Sequence, residues 1–88
     1  MRIPKNRMTG DIIFNDKVFP FRNVFLDNID LMITISTIDL NALLFNNKGE
    51  YISENARYID EQIYFFVDKE QLALPEDQLV QYLKKNIQ

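Results

Sequence analysis

The carboxylates of one short stretch are the residues that come nearest to a chemical site. Asp60 and Glu61 stand just before the apolar run Ile63–Val67, Asp68 and Glu70 stand just after it, and Glu54 lies a little upstream. Several converging carboxylate oxygens are what Mg²⁺ or Ca²⁺ requires. Asp60 and Glu61 are adjacent, however, and adjacent side chains diverge on a helix and on a strand alike. No Asp-x-Asp-x-Asp-Gly loop is present. The plainer account is that charges at both ends of an apolar strand guard it against aggregation. Arg57 and Glu61 at i, i+4 would add a weak helical pair. No metal site is assigned.

A second group is basic. Arg2, Lys5, Arg7, Lys17 and Arg22 lie near Phe19 and Phe21, and residues 1–28 carry five cationic against three anionic groups. Residues 29–88 carry five cationic against ten anionic groups, which leaves the whole chain at −3. Cations beside aromatic rings can neutralise phosphates and stack bases. The competing account is a solvated tail beside core phenylalanines, because no RNP-like or helix-turn-helix pattern accompanies the charges. The scattered acids of residues 29–88 resemble an ordinary soluble surface more than a nucleic-acid mimic.

Catalytic patterns are missing. The chain has no histidine and no cysteine. Ser36, Ser53, Thr34 and Thr37 therefore lack the base that most often activates a hydroxyl. Thiolate metal sites and disulfides are excluded. Two glycines cannot build a phosphate-cradling loop, and no GxGxxG, P-loop or HExxH occurs. The expectation is a protein that is not an enzyme, with no catalytic residues, no cofactor and no metal.

The elements follow from periodicity. Residues 1–10 read as a flexible basic arm, and residues 11–88 as one domain. Asp11–Phe14 and Val18–Phe21, separated by Asn15-Asp16-Lys17, read as a β-hairpin with turn residues between aromatic-rich runs. Pro20 cannot donate to a ladder, so that strand lies at an edge or ends there. Leu31–Ile35 alternates as a strand after the turn signal Asp27-Asn28. Residues 37–46 are ambiguous between helix and strand. The favoured reading is an irregular stretch over Thr37–Asn41, then a hairpin of Leu43–Phe45 with Glu50–Ile52, turning at Asn47-Lys48-Gly49 with glycine in the left-handed position. Ser53 is a candidate N-cap for a short helix over Glu54–Asp60. Ile63–Val67 is a strand with two apolar faces. The final helix is the clearest element. Pro75 suits its first position, Glu76 and Asp77 its positive end, and Lys84 and Lys85 its negative end. Leu79, Leu83 and Ile87 form its apolar stripe.

The fold class expected is α+β: a small antiparallel or mixed sheet of about four or five strands, with the C-terminal amphipathic helix packed on one face. The chain holds seven Phe, four Tyr and 47% apolar residues in only 88 positions. So small a domain has limited interior, and surplus apolar surface marks an interaction site. The second face of Ile63–Val67 carries Tyr64 and Phe66. With Tyr58 and Tyr51 they form the expected interface with an unknown protein partner, or with a second copy as a homodimer. The functional expectation is a non-catalytic protein–protein interaction or accessory module. The alternative is a nucleic-acid binder using Arg2, Lys5, Arg7, Lys17 and Arg22. No apolar run approaches the roughly 18 residues of a membrane span, and no leader pattern occurs, which suggests a cytoplasmic protein. The Asn, Ile and Lys content suits an AT-rich bacterial or phage genome.

Overall fold

A computed structural model of the chain describes residues 6–38 and 49–87. Six strands form one mixed sheet: β1 (Thr9–Phe14), β2 (Lys17–Leu26), β3 (Leu31–Ser36), β4 (Glu50–Ser53), β5 (Ala56–Ile59) and β6 (Gln62–Phe66). Two helices follow, α1 (Lys69–Leu72) and α2 (Glu76–Asn86). The sheet order is β1-β2-β3-β6-β5-β4. Each half is an antiparallel meander, and a parallel pairing of β3 with β6 joins the halves. The fold class is α+β with a helix packed on a sheet, as the sequence indicates, although the sheet has more strands than the four or five expected.

Two hairpins turn on two residues. Asn15 and Asp16 have φ of 51° and 62°, and Asp60 and Glu61 have φ of 50° and 63°. Positive φ at both central positions defines the type I′ turn, whose twist matches that of the flanking strands. This corrects the short helix expected over Glu54–Asp60. Within Ala56–Ile59 the side chains alternate between the two sheet faces, and a strand paired on both sides buries Ala56 and Ile59 more fully than a lone helical turn would. The two carboxylate pairs consequently sit at opposite ends of β6. A five-residue strand separates them, roughly 17 Å at the usual rise. Arg57 does not reach Glu61 along a helix. Its guanidinium Nη1 donates to the carbonyls of Ser53 at 2.6 Å and Ala56 at 2.7 Å.

Alternation divides the core. On one face Val24, Leu26, Ile33, Ile35, Ala56, Ile63 and Phe65 meet Leu72 of α1 and Leu79, Leu83 and Ile87 of α2. The Phe65 ring meets Tyr82 of α2 edge-on, at 5.8 Å between centroids. On the far face Ile12, Phe21, Ile38, Ile59, Tyr64 and Phe66 form a second cluster, edged by Phe14 and Phe19. Every residue of β6 is buried, which explains its unbroken apolar character.

Three local details depart from expectation. Thr9 and Gly10, read as arm, open β1; residues 1–5 lie outside the described residues. Pro20 sits inside β2. The ladder to β3 ends at Phe21↔Ser36, so the missing N–H of Pro20 falls beyond the last paired residue. Gly49 has no positive φ. Its requirement is steric, because a Cβ there would lie 2.3 Å from Ile59 Cγ1. The readings placed on residues 39–48, including the strand Leu43–Phe45, lie outside the described residues.

Two outcomes test this architecture. Leu83→Ala removes a fully buried contact between α2 and the sheet, and urea denaturation should show a loss of about 2–5 kcal/mol. Glu61→Gly relieves the positive φ at the second turn position and produces the favoured Asp-Gly pair, so it should raise stability by about 0.5–1 kcal/mol.

Candidate functional site

Tyr64 and Phe66 are 2% and 6% exposed within a single chain. The interface expected on their face is therefore closed at those two positions. Tyr51 and Tyr58 remain accessible, at 67% and 37%. They do not join one surface, because Tyr51 pairs with Arg57 while Tyr58 pairs with Glu50, on alternate faces of the β4–β5 ladder. The Arg57 guanidinium lies 4.6 Å from the centroid of the Tyr51 ring, a cation–π contact at an exposed site.

What fills the far face at its centre is polar. The Tyr64 hydroxyl donates to Gln62 Oε1 at 3.2 Å. Gln62 Nε2 donates to Thr34 Oγ1. Thr34 Oγ1 donates to Asn23 Oδ1 at 2.6 Å, and Asn23 Nδ2 donates to the Arg7 carbonyl. All four side chains are buried. The chain of bonds runs in one donor direction across β6, β3 and β2, and ends by holding the segment before β1. The Asn23 backbone N–H adds a bond to the Met8 carbonyl at 2.8 Å. These bonds position backbone as well as side chains.

Of the basic residues of the N-terminal region only Arg7, Lys17 and Arg22 lie among the described residues. Arg2 and Lys5 lie outside the described residues. Arg7 is exposed and Lys17 is exposed at the first turn, while Arg22 is half-buried. Lys17 and Arg22 belong to opposite faces of β2, because their separation along the strand is odd. Phe21 is buried and Phe19 half-buried. Among the described residues, no three acids or other ligating side chains gather where a metal ion could be held. No described helix is long and apolar enough to cross a membrane.

The most exposed aliphatic pair among the described residues lies elsewhere, on the first hairpin. Ile13 and Val18 are direct cross-strand partners and are 73% and 64% exposed. They share the helix face of the sheet but sit beyond the helices. The signal was present in the sequence: adjacent Ile12 and Ile13 in one strand must point to opposite faces, and only Ile12 joins a core cluster. Beside them a groove of about 580 Å³ runs between the hairpin and α1. Val18, Pro20, Leu72 and Ala73 give it apolar walls, and Arg22, Lys69 and Asp11 border it. Arg22 Nη1 donates to the Leu72 carbonyl at 2.8 Å and the Leu74 carbonyl at 2.6 Å, at the end of α1.

Among the described residues β1 is also an open edge. Its turn makes Phe14↔Lys17 a hydrogen-bonded pair, so Phe14, Ile12 and Gly10 direct their N–H and C=O groups at β2. By the same alternation Thr9, Asp11 and Ile13 direct theirs away from the sheet. β4, the other edge among the described residues, is shorter and interrupted by a register shift. β1 has neither defence, and neither lysine nor proline.

The chain matches no protein-family model, no curated protein and no solved structure.

The buried polar array makes a direct prediction. Thr34→Val leaves Gln62 Nε2 and Asn23 Oδ1 without the hydroxyl between them. Chemical denaturation should report a loss of about 1–3 kcal/mol, the cost of orphaned buried polar groups. Hydrogen exchange at the Asn23 amide should accelerate with it.

Proposed function

We propose that the protein is a non-catalytic interaction module that takes an extended segment of another polypeptide onto the free edge of β1. The observation that carries the reading is the unprotected edge itself. Thr9, Asp11 and Ile13 leave their backbone groups unpaired by β2, and Ile13 with Val18 presents apolar surface beside them. Strand addition at such an edge obtains affinity from main-chain hydrogen bonds and specificity from alternate side chains.

Charge narrows self-pairing without excluding it. Antiparallel pairing of two β1 strands over Thr9–Ile13 places Asp11 against Asp11 across the dyad, and like charges directly opposite in a ladder are destabilising; pairing over Gly10–Phe14 places Asp11 against Ile13. A segment with Lys or Arg opposite Asp11 and an apolar residue opposite Ile13 meets the edge with complementary groups. The interaction surface thus moves from Tyr64 and Phe66 to the first hairpin.

The test begins with heptapeptides selected from a random library against the intact protein. They should carry a basic residue two positions from an apolar one, and should protect the Thr9, Asp11 and Ile13 amides from exchange. Asp11→Pro removes one outward donor without removing a β1–β2 bond, and Ile13→Lys introduces an edge charge. Each should weaken binding by about tenfold or more, in line with losing one good ladder contact. Peptides that bind both variants unchanged would refute the proposal.

A further inference from the structure

The groove beside the first hairpin holds a guanidinium of unusual availability. Nη1 of Arg22 carries two hydrogens, and both are used, on the carbonyls of Leu72 and Leu74. These bonds fix the plane of the group. They leave the side-on edge formed by Nε–H and Nη2–H, which has no protein acceptor among the described residues. Arg22 forms no ion pair there, and it is half-buried. A planar pair of parallel N–H donors matches the two oxygens of a carboxylate. Lys69, which borders the same groove, adds a second cation, and Asp11 is the one acid lining it. The groove is therefore net positive on a chain of net charge −3. Its remaining lining is largely apolar, and its volume of about 580 Å³ falls within the usual range of small-molecule sites.

We infer that this groove binds a small carboxylate with an apolar body, the carboxylate on the free edge of Arg22 and near Lys69, the hydrocarbon against Val18, Pro20 and Leu72. The site adjoins the β1 edge, since Thr9, Asp11 and Val18 line it, but it uses side chains on the helix face where strand addition uses outward backbone groups. The preformed guanidinium supplies orientation, and the apolar walls supply most of the burial.

The experiment is a titration of uniformly ¹⁵N-labelled full-length protein with octanoate, octylammonium and 1-octanol, followed by amide shifts. Octanoate should shift Thr9, Arg22, Lys69 and Leu72 in one saturable process. Octylammonium and octanol should bind about tenfold more weakly or not at all, since each lacks the charge-assisted pair. Lys69→Gln, at an exposed position, should weaken octanoate severalfold with the spectrum otherwise preserved. Arg22→Gln should abolish it, and if that variant loses its fold the Lys69→Gln result still decides. Equal binding of octanol and octanoate, shifts centred elsewhere, or no saturable shift would overturn the assignment. Tighter binding of N-acetyl-valyl-leucine than of octanoate would also overturn it, by giving the groove to a polypeptide C-terminus.

Discussion

The parallel pairing of β3 with β6 is the constraint on which the rest of this molecule depends. It sets Ile33 beside Ile63 and Ile35 beside Phe65 on one face, and Thr34 beside Tyr64 and Ser36 beside Phe66 on the other. One register thus produces two different interiors. The first is wholly apolar and receives Leu79, Leu83 and Ile87 of α2. The second carries a hydrogen-bonded row from Tyr64 to Asn23 in addition to its aromatic cluster. A slip of one residue would exchange these faces and bury hydroxyl and amide groups under the helix, at a cost of roughly 1–3 kcal/mol for each one left unpaired. The polar row therefore selects the register while the apolar face supplies most of the stabilisation.

That division explains what stays uncovered. The helices follow β6, at the centre of the sheet, and reach only part of the helix face. α1 extends toward β2, where Arg22 ties down its final carbonyls. Beyond it the first hairpin projects with Ile13 and Val18 in solvent. The groove and the free edge are therefore two consequences of one geometry: a long β2, a six-residue β1 and helices too short to cover them.

Much of the fold was legible, for reasons that can be named. The stripe Leu79, Leu83, Ile87 has helical spacing, and its charged ends agree with the dipole. Leu31–Ile35 alternates, and Asn15-Asp16 is turn chemistry. The stretch Ala56–Ile59 was misread because Ser53 resembles a cap and Asp60-Glu61 does not resemble a type I′ turn. Glutamate at positive φ is tolerated there only because pairing on both sides of β5 imposes it. The interface reading placed Tyr64 and Phe66 outward because a two-sided apolar strand was given one covering element. Among the described residues Tyr64 and Phe66 are buried in a cluster with Ile12, Phe21, Ile59 and Ile38, a long-range arrangement that no local pattern encodes. Asn23 and Gln62 went unnoticed, and Thr34 was weighed only as a nucleophile, for the same reason: each is an ordinary strand residue until the sheet order brings them into line. Arg22 was noticed for its charge, whereas its position depends on α1, fifty residues away.

Amide hydrogen exchange in the free protein tests the central claim, an unpaired β1 edge, most directly. The account predicts an alternating pattern along one strand: Gly10, Ile12 and Phe14 protected by β2, and Thr9, Asp11 and Ile13 exchanging at rates close to those of an open chain. Equal protection of Asp11 and Ile13 would mean that the edge is already occupied, and would contradict it.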